Sequence, residues 1–275
     1  PAMRNTAPCV AYAAFKIQSE NSNANMIIAA SDHIITKEDE FVRVVNDCLD
    51  LSANNDILLT IGIKPSRPDT GYGYIQFTEE GLVSHKKVRK VKTFTEKPDQ
   101  ELALNFLDSG DFLWNSGMFV WSAKSITLAY RKHLNDIYTV FEDGKTIYNT
   151  EKEEGYIDRV FPGCKNISID YGIMEKSDKV YVYPASFGWS DLGTWGSLYM
   201  HLDLDKNKNA VLGDNVMLYD SSDNIVNVPK EKQVVLQGLN GYIIVESKGV
   251  LLVCKKEDEQ QIKQFVTDVE IISES

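Results

Sequence analysis

Asp56-Ile57-Leu58-Leu59-Thr60-Ile61-Gly62-Ile63 is an almost unbroken apolar run of strand length, the pattern of a strand covered on both faces. An earlier run, Met26-Ile27-Ile28-Ala29-Ala30, has the same character. Between the two, Phe41, Val44, Val45, Cys48 and Leu49 recur at the spacing of an amphipathic helix, with Thr36 and Asp39 as a capping-box-like start. Strand, helix and strand in that order make a βαβ unit and imply a parallel sheet. The expected class is α/β.

Working outward, Asn5 or Thr6 caps a helix running through Phe15, with Pro8 tolerated in its first turn. Beyond Ile63, Lys64 to Gly71 reads as a turn-rich loop. Strands are expected at Tyr72–Phe77, Val88–Thr95, Trp114–Trp121 and Lys179–Pro184. Asp99 caps a helix carrying Leu102 and Phe106, and further helices fill much of Ser122 to Lys176. From about Asp203, short apolar segments recur between turn residues, as in a small all-β unit coiled as a short β-helix turn, with a closing helix over Glu257–Val269. The polar stretch from Asp203 to Asn209 sets the expected division, 1–202 and 203–275.

A net charge of −11 argues against a nucleic-acid surface, which rests on clustered Lys and Arg. The longest apolar runs are too short to span a bilayer, and no charged leader precedes an apolar stretch. A cytoplasmic protein without membrane attachment is expected. Four scattered cysteines form neither a metal motif nor a disulfide framework.

Two aspartates stand in unusual settings. Asp32 follows the first apolar run in Ala29-Ala30-Ser31-Asp32-His33, and Asp191 lies in Phe187-Gly188-Trp189-Ser190-Asp191-Leu192-Gly193-Thr194-Trp195. A carboxylate at the carboxyl end of a buried strand sits where open α/β sheets bind ligands, and two of them suit Mg²⁺. A turn or cap role for each is the plainer alternative. Four further stretches carry polar groups beside glycine or proline: Thr70-Gly71-Tyr72-Gly73-Tyr74-Ile75, Phe94-Thr95-Glu96-Lys97-Pro98, Trp114-Asn115-Ser116-Gly117-Met118-Phe119 and Ser168-Ile169-Asp170-Tyr171-Gly172-Ile173-Met174-Glu175-Lys176. Glu96 can accept from sugar hydroxyls while Lys97 meets a phosphate, or the two form a solvated surface pair. Asn115 reads a hydroxyl or holds a turn, and Asp170 competes as a simple N-cap.

In their order, and with Arg4-Asn5-Thr6-Ala7-Pro8 in front, these stretches resemble the mannose-1-phosphate guanylyltransferases, members of the sugar-nucleotidyltransferase family. The resemblance runs from Pro1 to about Tyr199. It implies a Rossmann-like, mostly parallel mixed sheet flanked by helices. It also implies transfer of GMP from GTP to mannose 1-phosphate, giving GDP-mannose and pyrophosphate. Asp32 and Asp191 would hold Mg²⁺ and Lys97 would neutralise the sugar phosphate, making these three the catalytic set. Gly73, Glu96, Asn115, Asp170 and Tyr171 would bind the sugar, and Asn5, Thr6 and Ala7 would lie against the nucleoside.

The family's opening strand, glycine-rich loop and basic stretch have no counterpart here, so the sequence is expected to be incomplete at its N-terminus and this polypeptide to turn over poorly or not at all. A transferase for another sugar 1-phosphate or base, and a non-catalytic sugar-nucleotide-binding subunit, remain as alternatives. The β-rich tail suggests a homodimer through the C-terminal part.

Overall fold

The computed structural model describes residues 2–82 and 85–274. In chain order the elements are α1 (Thr6–Glu20), β1 (Asn25–Ile28), β2 (Ile34–Ile35), α2 (Glu38–Asn54), β3 (Leu58–Ile63), β4 (Tyr74–Leu82), β5 (His85–Thr95), α3 (Gln100–Ser109), β6 (Phe112–Ser122), α4 (Ala123–His133), α5 (Asn135–Asp143), α6 (Glu153–Val160), β7 (Val180–Ala185) and β8 (Trp189–Ser190). A π-helical turn, Asp170–Met174, precedes β7. There follow α7 (Trp195–Tyr199), β9 (Ala210–Leu212), β10 (Val216–Tyr219), β11 (Ile225–Asn227), β12 (Val234–Gln237), β13 (Tyr242–Ser247), β14 (Val250–Lys255) and α8 (Ile262–Glu274).

Two compact units emerge: residues up to Ser31 with Ile35–Trp189, and Asp32–Ile34 with Ser190–Ser275. The chain thus divides at Ser190, ahead of the polar stretch at Asp203. The cause is α7, which is tied to the tail. Gly196 donates its N–H to Glu259 Oε2 at 2.8 Å, and Tyr199 donates its hydroxyl to Lys208 O at 2.6 Å.

The first unit is built on a six-stranded mixed sheet in the order β1-β6-β3-β7-β5-β4. Every residue of β3 is buried, as its composition demands. Leu58 faces one layer, with α1 and α4 residues such as Phe15 and Tyr130. Leu59 and Ile61 face the other, with Val44 and Cys48 of α2. Helices on both faces of one sheet satisfy both apolar sides of each strand. The strand pairings qualify the βαβ reading. β3 pairs in parallel with β7, but both β1 and β3 pair antiparallel with β6, which lies between them. β1 and β3 therefore share a direction without being neighbours. β4 pairs antiparallel with both β5 and β6, so β1, β3, β4 and β7 run one way and β5 and β6 the other.

The expected Thr36 cap of α2 is not formed. The helix starts at Glu38 after Lys37, and no side chain caps it. Thr36 is drawn elsewhere: its backbone N–H donates to Gly188 O at 3.1 Å, and Lys37 N–H to Phe187 O at 3.0 Å. Asn5 and Asp99 do cap their helices, accepting from Thr6 N at 2.8 Å and Leu102 N at 2.9 Å.

The second unit is a coil of short parallel strands. Ile225 of β11 aligns with Ile243 of β13 on one side and Ala210 of β9 on the other, and β10 aligns with β12. Val226, Val228 and Ile244 fill its interior. Asn224, fully buried, links successive turns: its Nδ2 donates to Asn209 Oδ1 at 2.9 Å and Leu239 O at 2.9 Å, and its Oδ1 accepts from Tyr242 N at 2.8 Å. Among the described residues no helix is long and apolar enough to cross a membrane.

Candidate active site

β6 opens the site because it cannot stay regular. Opposite β3, its register slips between Phe119 and Asn115, leaving Ser116 and Gly117 in a bulge. Gly117 takes a φ of 69°, a left-handed conformation that glycine adopts without a Cβ penalty. Ser116 anchors the bulge by donating its hydroxyl to Ile61 O at 2.6 Å. Bulges of this kind re-aim a neighbouring side chain. Here that side chain is Asn115. Its Oδ1 accepts from Gly117 N at 3.2 Å and Thr60 Oγ1 at 3.4 Å, which turns Nδ2 outward to donate to Asp170 Oδ1 at 2.8 Å.

Gly73 is held beside Asn115, accepting the Asn115 N–H on its carbonyl at 2.8 Å. A Cβ on Gly73 would stand 2.6 Å from Glu96 Oε2 and 3.5 Å from Asn115 Cβ. A side chain there would displace the Glu96 carboxylate from its place beside Asn115. Lys97 follows Glu96 and pairs with it at 3.3 Å, both side chains being well exposed. Its φ of 45° is left-handed, an uncommon state for a lysine, adopted where the chain turns out of β5.

The π-helical turn brings in a residue that the sequence pattern does not single out. Its Glu175 N–H donates to Asp170 O at 2.9 Å, an i to i+5 bond. In an ordinary helix of 3.6 residues per turn, positions five apart diverge. Here Glu175 returns over Asp170 instead. Burial raises the Asp170 carboxyl above the usual carboxylate range, offset in part by Asn115, and nearby Glu96 raises it further. Burial, then Asp170, then Glu96 raise Glu175 likewise. The first unit thus gathers Gly73, Glu96, Asn115, Asp170 and Glu175 into one acceptor-rich cluster with Lys97 at its edge. Carboxylates and an amide around a glycine gap suit a hydroxyl-bearing neutral ring. Tyr171 lies next to this cluster in sequence and is 48% exposed.

Thr6 and Ala7 are bound into the framework. Thr6 Oγ1 accepts from Ile169 N at 2.8 Å, and Ala7, fully buried, accepts the Tyr130 hydroxyl on its carbonyl at 2.6 Å. Asn5 is exposed at the helix start, with a φ of 63°. The α1 entry is therefore fixed to the segment that leads into Asp170.

Asp32 and Asp191 both fall in the second unit. Asp32 is exposed. Asp191 Oδ1 accepts from Gly193 N at 2.9 Å and Ser197 Oγ at 3.5 Å, and a Cβ on Gly193 would stand 2.7 Å from Asp191 Oδ2. Among the described residues no group of three or more His, Cys, Asp or Glu converges. Mg²⁺ needs no such cage, since it takes one or two carboxylates and fills its sphere with water and substrate phosphate. Asp32 and Asp191 are carboxylates, the donor type that ion takes. A wide depression at the start of α2, lined by Thr36, Lys37, Glu38, Asp39, Glu40 and Arg43, contains none of these residues.

The sequence profile of the nucleotidyl transferase family matches residues 1–208. The chain is similar to the alginate biosynthesis protein AlgA of Pseudomonas fluorescens, 34% identical over 273 residues, covering 97% of this chain and 55% of that one. It is similar also to a mannose-1-phosphate guanylyltransferase of Salmonella montevideo, 36% identical over 277 residues, covering 98% and 57%. The chain spans about half the length of these curated relatives. A Thermus thermophilus crystal structure described as a mannose-1-phosphate geranyltransferase superposes with a TM-score of 0.80 at 25% identity, covering 98% of this chain and 76% of that one. The chain belongs to the nucleotidyl transferase family, alongside relatives named mannose-1-phosphate guanylyltransferase.

Proposed function

We propose that the protein transfers GMP from GTP to mannose 1-phosphate, releasing pyrophosphate and forming GDP-mannose. The observation that carries this reading is the cluster of Gly73, Glu96, Asn115 and Asp170, joined by a 2.8 Å hydrogen bond and a glycine gap. It offers a neutral sugar several acceptors and one amide, and the substrate in the relatives' name favours mannose as that sugar.

In this reading Glu96, Asn115 and Asp170 accept from and donate to the sugar hydroxyls and so fix the ring. Tyr171 borders it. Lys97, a point charge on a flexible stem, meets the phosphate. An oxygen of that phosphate attacks the α-phosphorus of GTP in line; the new P–O bond forms as the bond to the β-phosphate oxygen breaks, and pyrophosphate leaves with the electron pair. The nucleophile is already an anion, so no side chain need remove a proton. The chemistry depends mainly on holding reactants in line and neutralising charge. Asn5 and Thr6, both exposed, contribute by lying against the nucleoside, whereas Ala7, expected to join them, is fully buried with its N–H and carbonyl both bonded within the protein and only fixes the helix start behind them. Asp32 and Asp191 would hold Mg²⁺, which supplies charge neutralisation at the phosphates when bound.

The test is calorimetric titration of the chain with mannose 1-phosphate in Mg²⁺ buffer, alongside chromatographic assay for GDP-mannose after adding GTP. Saturable binding of mannose 1-phosphate is the expected outcome. Failure to bind it at millimolar concentration, or tighter binding of another sugar 1-phosphate, would sink the assignment. Exposed Met217, Tyr219, Val235, Leu251 and Val253 support a second reading at the level of assembly, a homodimer through the β-coil. A monomer mass in light scattering at micromolar concentration would count against it.

A further inference from the structure

The loop between β3 and β4, from Lys64 to Tyr72, carries a charged group that nothing above uses. Arg67 lies with its guanidinium 5.3 Å from the Trp114 ring centroid and 5.8 Å from that of Tyr72. The two rings meet edge to face at 5.0 Å. Tyr72 immediately precedes Gly73, and Trp114 immediately precedes Asn115. Arg67 therefore lies over the chain neighbours of both Gly73 and Asn115.

The guanidinium is itself fixed. Its Nη2 donates to Asp69 Oδ2 at 2.6 Å, and the Asp69 side chain is almost fully buried. The other carboxylate oxygen accepts from Gly71 N at 2.8 Å. The Tyr74 hydroxyl closes the loop from the far side, donating to Asp69 O at 2.9 Å and accepting from Asp69 N at 3.0 Å. The loop, β4 and β6 are thus locked around one planar cation. A planar guanidinium can stack on two aromatic faces and pair with a carboxylate at once, which an ammonium cannot.

We propose that Arg67 is a positioning residue that sets the spacing between Gly73 and Asn115, and through it the site's ability to tell sugar 1-phosphates that differ in one hydroxyl. The proposal rests on the sugar-binding reading of that cluster. Arg67 need not touch the sugar. Displacing either strand by about 1 Å misplaces the Asn115 amide and the Glu96 carboxylate relative to the ring hydroxyls, and a misplacement of that size costs a fitted site on the order of 10²-fold in rate. Mannose 1-phosphate and glucose 1-phosphate differ only at the C2 hydroxyl, so their affinity ratio reads this spacing directly.

The experiment measures Kd for both sugar phosphates by calorimetry on the wild-type chain and on Arg67→Ala, Arg67→Lys and Tyr72→Leu. Arg67→Ala should weaken mannose 1-phosphate binding about 10-fold or more and bring the two affinities together. Arg67→Lys keeps the ion pair with Asp69 but not the stacking, and should restore affinity only in part. Tyr72→Leu removes one ring while leaving the ion pair, and should lower the affinity ratio even if an Arg67 variant fails to fold. A purely structural role would reduce the binding-competent fraction without moving Kd or the ratio. Wild-type Kd and ratio in the folded variants would overturn the proposal for Arg67 alone. A wild-type chain that binds neither sugar phosphate would instead overturn the reading of the cluster on which it rests.

Discussion

At the scale of single residues, the site is organised by what surrounds each carboxylate. Asp170 carries the sharpest consequence. Its carboxyl is raised by burial, and raised again by Glu96, with Asn115 acting in the opposite direction. A carboxyl whose folded pKa lies above its unfolded value binds more protons in the folded state. Its contribution to stability is then fully present below the ordinary carboxylate range and is lost as pH rises through the raised value. Asp170→Asn removes this pH-dependent loss and still offers Asn115 Nδ2 an oxygen. The variant should therefore unfold at a higher temperature than the parent at pH 7, with the difference shrinking toward pH 4, while mannose 1-phosphate binds more weakly. Thermal unfolding followed across pH 4 to 8 decides it, and a variant less stable than the parent at pH 7 would contradict the argument. Most of this cluster was legible in sequence because glycine, asparagine and paired charges at strand ends are few and chemically specific. Glu175 was not, since it joins the site only through an i to i+5 turn. Thr60 was hidden for another reason: inside an apolar run it reads as core, yet its hydroxyl helps aim Asn115.

At the scale of elements, the strands were legible from composition and their partners were not. β3 announces itself as doubly covered, and it is. That β6 should slide in between β1 and β3 is a non-local fact, carried by side-chain fit across the sheet rather than by any periodicity along the chain. The start of α2 shows the same limit. Thr36 looks like a cap, but the segment is instead pulled onto Phe187 and Gly188 by two backbone hydrogen bonds. Gly188 is required there on two counts. Its φ is 68°, and an added Cβ would lie 1.9 Å from Thr36 Oγ1. Left-handed backbone costs a residue with a Cβ about 1–2 kcal/mol, and the overlap must move the Thr36 segment as well. Gly188→Ala should accordingly destabilise the chain by about 2–4 kcal/mol, read as a lower urea midpoint with an unchanged slope. A loss under about 0.5 kcal/mol, the range of ordinary surface changes, would mean the segment yields freely.

At the scale of the whole molecule, the chain carries two kinds of architecture whose cores are made differently. The first unit buries apolar side chains on both faces of one sheet, and its candidate sugar site depends only on residues of that unit. The β-coil of the second unit has a thin apolar interior, and much of its order comes from buried amides that bond from one turn to the next. Regular spacing of short apolar segments made the coil legible in sequence, but Asn209 and Asn224 look there like ordinary turn residues. Replacing Asn224 by alanine strands Tyr242 N inside the coil and removes one of two donors from Leu239 O and from Asn209 Oδ1, which keep the Ser222 N–H and the backbone N–H of position 224 respectively. A buried group stranded in this way costs about 1–3 kcal/mol, so the expected loss is roughly 2 kcal/mol. Asn224 and the Asn115–Asp170 pair share no hydrogen-bond partner, the condition under which sites behave additively. Asn224→Ala should therefore lower the unfolding transition of the coil while leaving mannose 1-phosphate affinity in the first unit unchanged. Hydrogen exchange resolved by segment measures the first effect and calorimetry the second; equal loss of protection in β3 and in β11 would show that the two units unfold as one.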